Sequence, residues 1–106
     1  MSDGLLIRSA RKFADLRVRG LAKLCSLTSG SISLVEAGEL KLSDATRQRV
    51  LRVLLVELSR TQDVPLPPCS NERAVRRELS RLLAAAEVLR AEKALLSANS
   101  LLSLWG

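Results

Sequence analysis

The stretch Leu21–Gly38, LAKLCSLTSGSISLVEAG, has the pattern of two short helices joined by a tight turn. Leu21-Ala22-Lys23-Leu24-Cys25 closes the first, Ser26-Leu27-Thr28 makes the turn, Ser29 to Glu36 forms the second, and Ala37-Gly38 ends it. Ala22 is small where one helix must cross another closely. Thr28 or Ser29 can cap a helix start, because a hydroxyl accepts an orphan backbone N–H. Ile32 and Val35 lie three apart, share a side and can lock the pair into a core. Gly38 can take the left-handed conformation that stops a helix. The surface opposite Ile32 and Val35 is left to point outward.

That layout is the one a helix-turn-helix uses to place its second helix in the major groove of DNA. Leu21-Ala22, then Ser31-Ile32-Ser33, then Val35-Glu36-Ala37-Gly38 resemble the lambda-repressor/Cro-like (XRE) family across roughly residues 5–58. The family's usual form is L-A, a turn, then S-x-I-S-x-[IL]-E-x-G. The resemblance implies an all-α fold, a small helical bundle of the lambda-repressor-like helix-turn-helix type. It also implies that Arg11 forms a structural ion pair with Glu36, fixing the first helix against the recognition helix.

For function, the resemblance implies a sequence-specific transcriptional regulator with double-stranded DNA as its partner. Thr28, Ser29, Gly30, Ser31, Ser33 and Leu34 would face the bases. Arg17, Arg19, Lys23 and Lys41 would hold phosphates, although a solvated pair is the plain alternative for Arg17 and Arg19. The chain departs from the family in two ways. Ser26 stands in the turn where Gly is common, and Val18 opens the second helix where a polar residue is usual. The recognition segment also lacks Arg, Asn and Gln, the side chains best suited to bidentate base contacts. Affinity is then expected to be largely electrostatic, with DNA shape carrying part of the specificity.

Charge points the same way. The chain of 106 residues has a formal net charge of +6. Residues 1–60 hold 11 Lys/Arg against 6 Asp/Glu, and residues 61–106 hold 6 against 5, so the basic excess lies with the helix pair. A basic patch of this kind expects nucleic acid.

Apolar residues make up 47% and aromatics 2%, the latter only Phe13 and Trp105, which favours helices filled with Leu, Ala and Val. There is no histidine, no tyrosine, no glycine-rich phosphate loop and no metal-spaced cluster. An enzyme is therefore not expected, nor a cofactor or a metal. Cys25 and Cys69 lie far apart, and Cys25 falls on an apolar face. No signal-peptide pattern and no membrane-span run is present, so a cytoplasmic protein without a membrane partner is expected.

In chain order, Leu5 to about Asp15 reads as the first helix, with Leu6, Ala10, Phe13 and Leu16 on one face. Leu16 to Gly20 leads into the second helix. Glu39 to Leu42 is a loop, and Ser43 caps a helix from Asp44 to about Ser59. Val50, Leu51, Leu54, Leu55 and Leu58 form its wide apolar face, which Val53 and Val56 extend almost all round. Such a helix expects cover on more than one side.

Thr61 to Ser70 holds all three prolines and breaks the pattern. Ser70 or Asn71 then caps a long helix from Glu72 to about Ala98, with Arg73, Arg77 and Arg81 in a basic row. The chain so divides into a helix-turn-helix domain (1–60), a proline-containing linker (61–71), and a long helix with an apolar tail (72–106).

Two arrangements compete for the long helix: packing back on the helix 44–59, or pairing with a second chain. Pairing is favoured, because two-fold operators mirror dimeric proteins. Its seam would use Val75, Leu79, Leu82, Leu83, Ala86, Leu89, Leu96 and Trp105. The expected protein is a homodimeric regulator. The alternative on the same fold is a protein-interaction module, an antitoxin or an RNA polymerase adaptor, whose long helix holds a protein partner.

Overall fold

The computed structural model describes residues 2–105, with side chains described through residue 95. Five helices follow in order: α1 (Asp3–Phe13), α2 (Val18–Leu24), α3 (Ser29–Glu36), α4 (Asp44–Thr61) and α5 (Glu72–Trp105). There is no strand among the described residues. α1 starts two residues before Leu5, because Ser2 caps it: the Leu5 N–H donates to Ser2 Oγ at 3.3 Å. Thr28 caps α3 and Ser43 caps α4 in the same way. At α5 the cap is Asn71, whose Oδ1 accepts the Ala74 N–H at 2.9 Å.

The first four helices all stop by one device. The residue after the C-cap turns left-handed, at Asp15 (φ 59°), Ser26 (φ 57°), Gly38 (φ 79°) and Asp63 (φ 54°). Two backbone N–H groups then reach back over the last turn. At α1, Leu16 donates to the Arg11 carbonyl at 3.0 Å and Asp15 to that of Lys12 at 3.1 Å. The matching pairs are Leu27 to Ala22 with Ser26 to Lys23, Glu39 to Leu34 with Gly38 to Val35, and Val64 to Ser59 with Asp63 to Arg60. These are Schellman closures, which satisfy carbonyls the helix end leaves orphaned. Only Gly38 has the residue that takes this backbone at no steric cost.

α4 is the axis of the core. Its Val50, Leu51, Leu54, Leu55 and Leu58 are buried between α1 on one side and α5 on the other. α1 contributes Leu6, Ile7 and Ala10, α2 contributes Leu21 and Ala22, and α3 contributes Ile32 and Val35. Gly4 lets the start of α1 lie against the end of α3. A methyl group there would collide with the Val35 carbonyl oxygen and the Glu36 backbone.

The long helix corrects the expected seam. Val75, Leu79, Leu82 and Leu83 are buried within their own chain, so none of the four is available for pairing. Burial of each is worth about 1.5–3 kcal/mol, and α4 supplies the apolar cover at once, without a second molecule. Ala86 is half-buried and Leu89 exposed, both beside Phe13. Leu96 and Trp105, with the tail leucines, lie outside the described side chains.

The first part of α5 therefore belongs to the same bundle as α1–α4, across the proline segment. Polar contacts fasten it there. Arg47 grips Glu72 through Nε (2.5 Å) and Nη2 (3.2 Å), Arg76 Nη2 meets Asp3 Oδ1 at 2.6 Å, and Gln62 Nε2 donates to the Leu82 carbonyl at 2.8 Å. Beyond Ala86 every described residue of α5 is exposed.

Candidate nucleic-acid interface

α3 is held from beneath and from one end. Ile32 and Val35 are buried, at 0% and 3% exposure. At its last residue Glu36 accepts both Arg11 Nε–H (2.8 Å to Oε2) and Nη2–H (2.9 Å to Oε1). Arg11 Nη1 also donates to the Leu16 carbonyl at 2.9 Å, so one guanidinium ties α1, the α1–α2 turn and α3 together. The side chains of this pair are only 12% and 9% exposed. Two-pronged geometry of this kind fixes orientation as well as distance.

With that anchorage, the outward face of α3 is Ser29, Gly30, Ser33 and Leu34, all exposed. Thr28 and Ser31 are placed differently. Thr28 Oγ1 accepts the Ser31 N–H at 3.1 Å and lies 2.8 Å from Ser31 Oγ. Both hydroxyls are therefore engaged in capping α3, and Ser31 is half-buried. The free face is smooth and small, with Leu34 as its one large side chain, 44% exposed.

Arg17, Arg19, Lys23 and Lys41 are all exposed, and none joins an ion pair among the described residues. Arg17 is the N-cap residue of α2 and makes no side-chain cap bond. Arg19 and Lys23 lie four apart on α2 and share one side. Lys41 sits in the loop between α3 and α4. The other helices carry an acidic residue in the first turn, but α2 and α3 carry none. Cations at a helix start oppose the helix dipole by about 0.3–1 kcal/mol each.

The turn between α2 and α3 has a support that sequence patterns do not reveal. Arg49 of α4 donates through Nη1 to the Cys25 carbonyl at 3.2 Å, placing a cation at the C-terminal end of α2. Cys25 is fully buried, and burial pushes its thiol up against the opposing effect of Arg49. Cys69 is half-exposed, and both thiols are free. Among the described residues no group of three His, Cys, Asp or Glu side chains could hold a metal, and no helix is long and apolar enough to cross a membrane.

The chain matches no protein-family model, no curated protein and no solved structure.

Proposed function

We propose that this chain is a DNA-binding transcriptional regulator with the α2–α3 pair as a helix-turn-helix, working as a homodimer on a two-fold operator. The observation that carries the reading is the presentation of α3. Core packing and the Arg11–Glu36 pair hold it in place, its outer face is exposed, and α2 and the α3–α4 loop carry exposed cations that join no ion pair among the described residues. The resemblance of Leu21–Gly38 to the XRE family supports the same reading, as does the basic excess in residues 1–60.

In this mechanism Arg17, Arg19, Lys23 and Lys41 neutralise phosphates and set the register of the protein on the duplex. Ser29 and Ser33 offer single hydrogen bonds to base edges, and Leu34 offers contact to a thymine methyl. Thr28 and Ser31 act through the shape of the α3 start. A face this small lets the helix approach the groove floor closely, while base discrimination per side chain stays low.

The test is a bind-and-sequence selection from random duplex DNA at two salt concentrations. An enriched palindrome with steep salt sensitivity is expected, and no retention at either salt overturns the reading. Reversing the charge of Arg17 and Arg19 should abolish retention and leave oligomerisation unchanged. The protein-interaction alternative draws on a different observation: Leu24, Val53, Val56 and Leu66 leave apolar surface open along α2, α4 and the proline segment. Under it, the Arg17 and Arg19 reversals change nothing.

A further inference from the structure

A hollow of about 380 Å³ opens between the first turn of α1 and the α3–α4 loop. That volume falls within the roughly 300–1,000 Å³ of small-molecule sites. Its apolar lining is Ile7 and Val35, both buried, with Leu40 and Leu42 of the loop. Four charged residues share the lining: Asp3, Glu39, Lys41 and Arg47.

The chain's own contacts leave part of that charge unused. Glu39 and Lys41 are exposed and join no ion pair among the described residues. The Arg47 side chain is only 15% exposed, and its Nε and Nη2 are taken by Glu72 and Asp44. Its Nη1 has no partner among the described residues. That nitrogen is not sealed off, because the buried unpartnered side-chain atom there is Ser59 Oγ alone. Asp3 gives Oδ1 to Arg76, leaving Oδ2.

These leftovers select a ligand. Arg47 Nη1 and Lys41 suit a carboxylate, through the charge-assisted bonds that are the strong ones. Glu39, backed by Asp3 Oδ2, suits an ammonium. An apolar acid alone would sit beside two anions, and an apolar amine alone beside two cations. A molecule with both charges and an apolar body meets each group with its complement. The two acids and two bases of the lining leave no net charge to repel it.

We propose that this hollow binds a free α-amino acid with an aliphatic or aromatic side chain. Its carboxylate goes to Arg47 and Lys41, its ammonium to Glu39, and its side chain to Ile7, Val35, Leu40 and Leu42. A regulatory consequence rests on the proposed function, in which Lys41 holds a phosphate. A Lys41 engaged by the amino acid is withdrawn from DNA. The two ligands then oppose each other, and each lowers the other's affinity by the same factor.

The experiment uses the full chain. Binding of L-leucine and L-phenylalanine is measured by calorimetry and by backbone amide shifts. N-acetyl-leucine, leucine amide and the doubly blocked N-acetyl-leucine amide are run beside them. At least one free amino acid should bind and move the amide signals of Gly4, Gly38 and Leu40. Blocking either charge of the ligand should weaken binding roughly tenfold or more, as should Glu39→Gln or Lys41→Gln. Both variants alter exposed loop side chains and should melt as the wild type does. Saturating amino acid should weaken retention of duplex DNA and flatten its salt slope by about 0.9 per bundle. No binding of either amino acid, equal binding of the doubly blocked compound, or shifts only at residues away from the hollow overturns the site. Binding at the hollow that leaves DNA retention unchanged overturns the antagonism. Binding at the hollow of a chain that retains no DNA supports the site and sinks only the regulator.

Discussion

Ser26 sits at φ 57°, in the backbone region that costs a residue with a Cβ about 1–2 kcal/mol. It is held there by the closure of α2 and by the entry into α3. Ser26→Gly should therefore raise stability by about 1 kcal/mol, seen as a higher denaturant midpoint at unchanged slope; a lower midpoint would show that the Ser26 side chain earns its place by other means. Asp15 and Asp63 occupy the same conformation, but Asp tolerates it better, so their glycine variants should gain less. The Arg11–Glu36 pair behaves in the opposite sense. Its two side chains are mostly removed from water, so breaking one leaves the other charged and unpaired. Glu36→Leu or Arg11→Met alone should cost about 3–5 kcal/mol, and the double variant distinctly less than the sum of the two. Additive losses in the four-way cycle would mean that the two charges act independently.

Among the elements, α5 separates what the sequence states from what it leaves open. The hydroxyl cap at Ser43, the bounds of α3 and the Arg11–Glu36 partnership were legible, because each rests on local chemistry or on a motif of fixed spacing, while the α3 cap lay open between Thr28 and Ser29 and falls to Thr28. Val75, Leu79, Leu82 and Leu83 of the α5 stripe, expected in a seam between chains, are buried within their own chain, because such a stripe reads the same whether the facing helix belongs to this chain or to another. The deciding clue lay in α4, whose apolar residues run almost all round and so require cover on a second side. Arg47–Glu72 and Arg76–Asp3 were illegible for another reason: neither pair has a fixed local spacing, and both exist only once α5 has folded back. That docking should depend on pH. The hydrogen bond from Arg47, and then its charge, hold the Glu72 carboxyl below its ordinary value against the effect of burial. A carboxylate depressed in the folded state contributes stability above its unfolded pKa, about 4.3, and loses that contribution as pH falls through the folded value. Glu72→Gln should thus be less stable than wild type at pH 7, and its stability should fall less steeply between pH 5 and pH 2. Equal acid slopes for the two proteins would remove Glu72 from the docking.

For the whole molecule, the internal ion pairs withdraw Arg11, Arg47 and Arg76 from DNA phosphates. Under the proposed function the cations assigned to phosphates are Arg17, Arg19, Lys23 and Lys41, all exposed and outside the ion pairs of the described residues, and the salt dependence of binding would count them. Each phosphate neutralised contributes about −0.9 to the slope of log K against log salt. If all four reach phosphates, the slope is about −3.6 per bundle, and a dimer engaging both bundles doubles it. Arg17→Ala with Arg19→Ala should flatten the slope by about 1.8 per bundle and weaken binding to all sequences alike. Leu34→Ala should leave the slope unchanged and reduce the preference among sequences, because an apolar contact to a base carries no counterions. Measuring both variants across salt on selected and scrambled duplexes separates the two contributions. If the arginine pair altered sequence preference while the slope stayed fixed, those side chains would be reading bases, and the division of labour between α2 and α3 would have to be reversed.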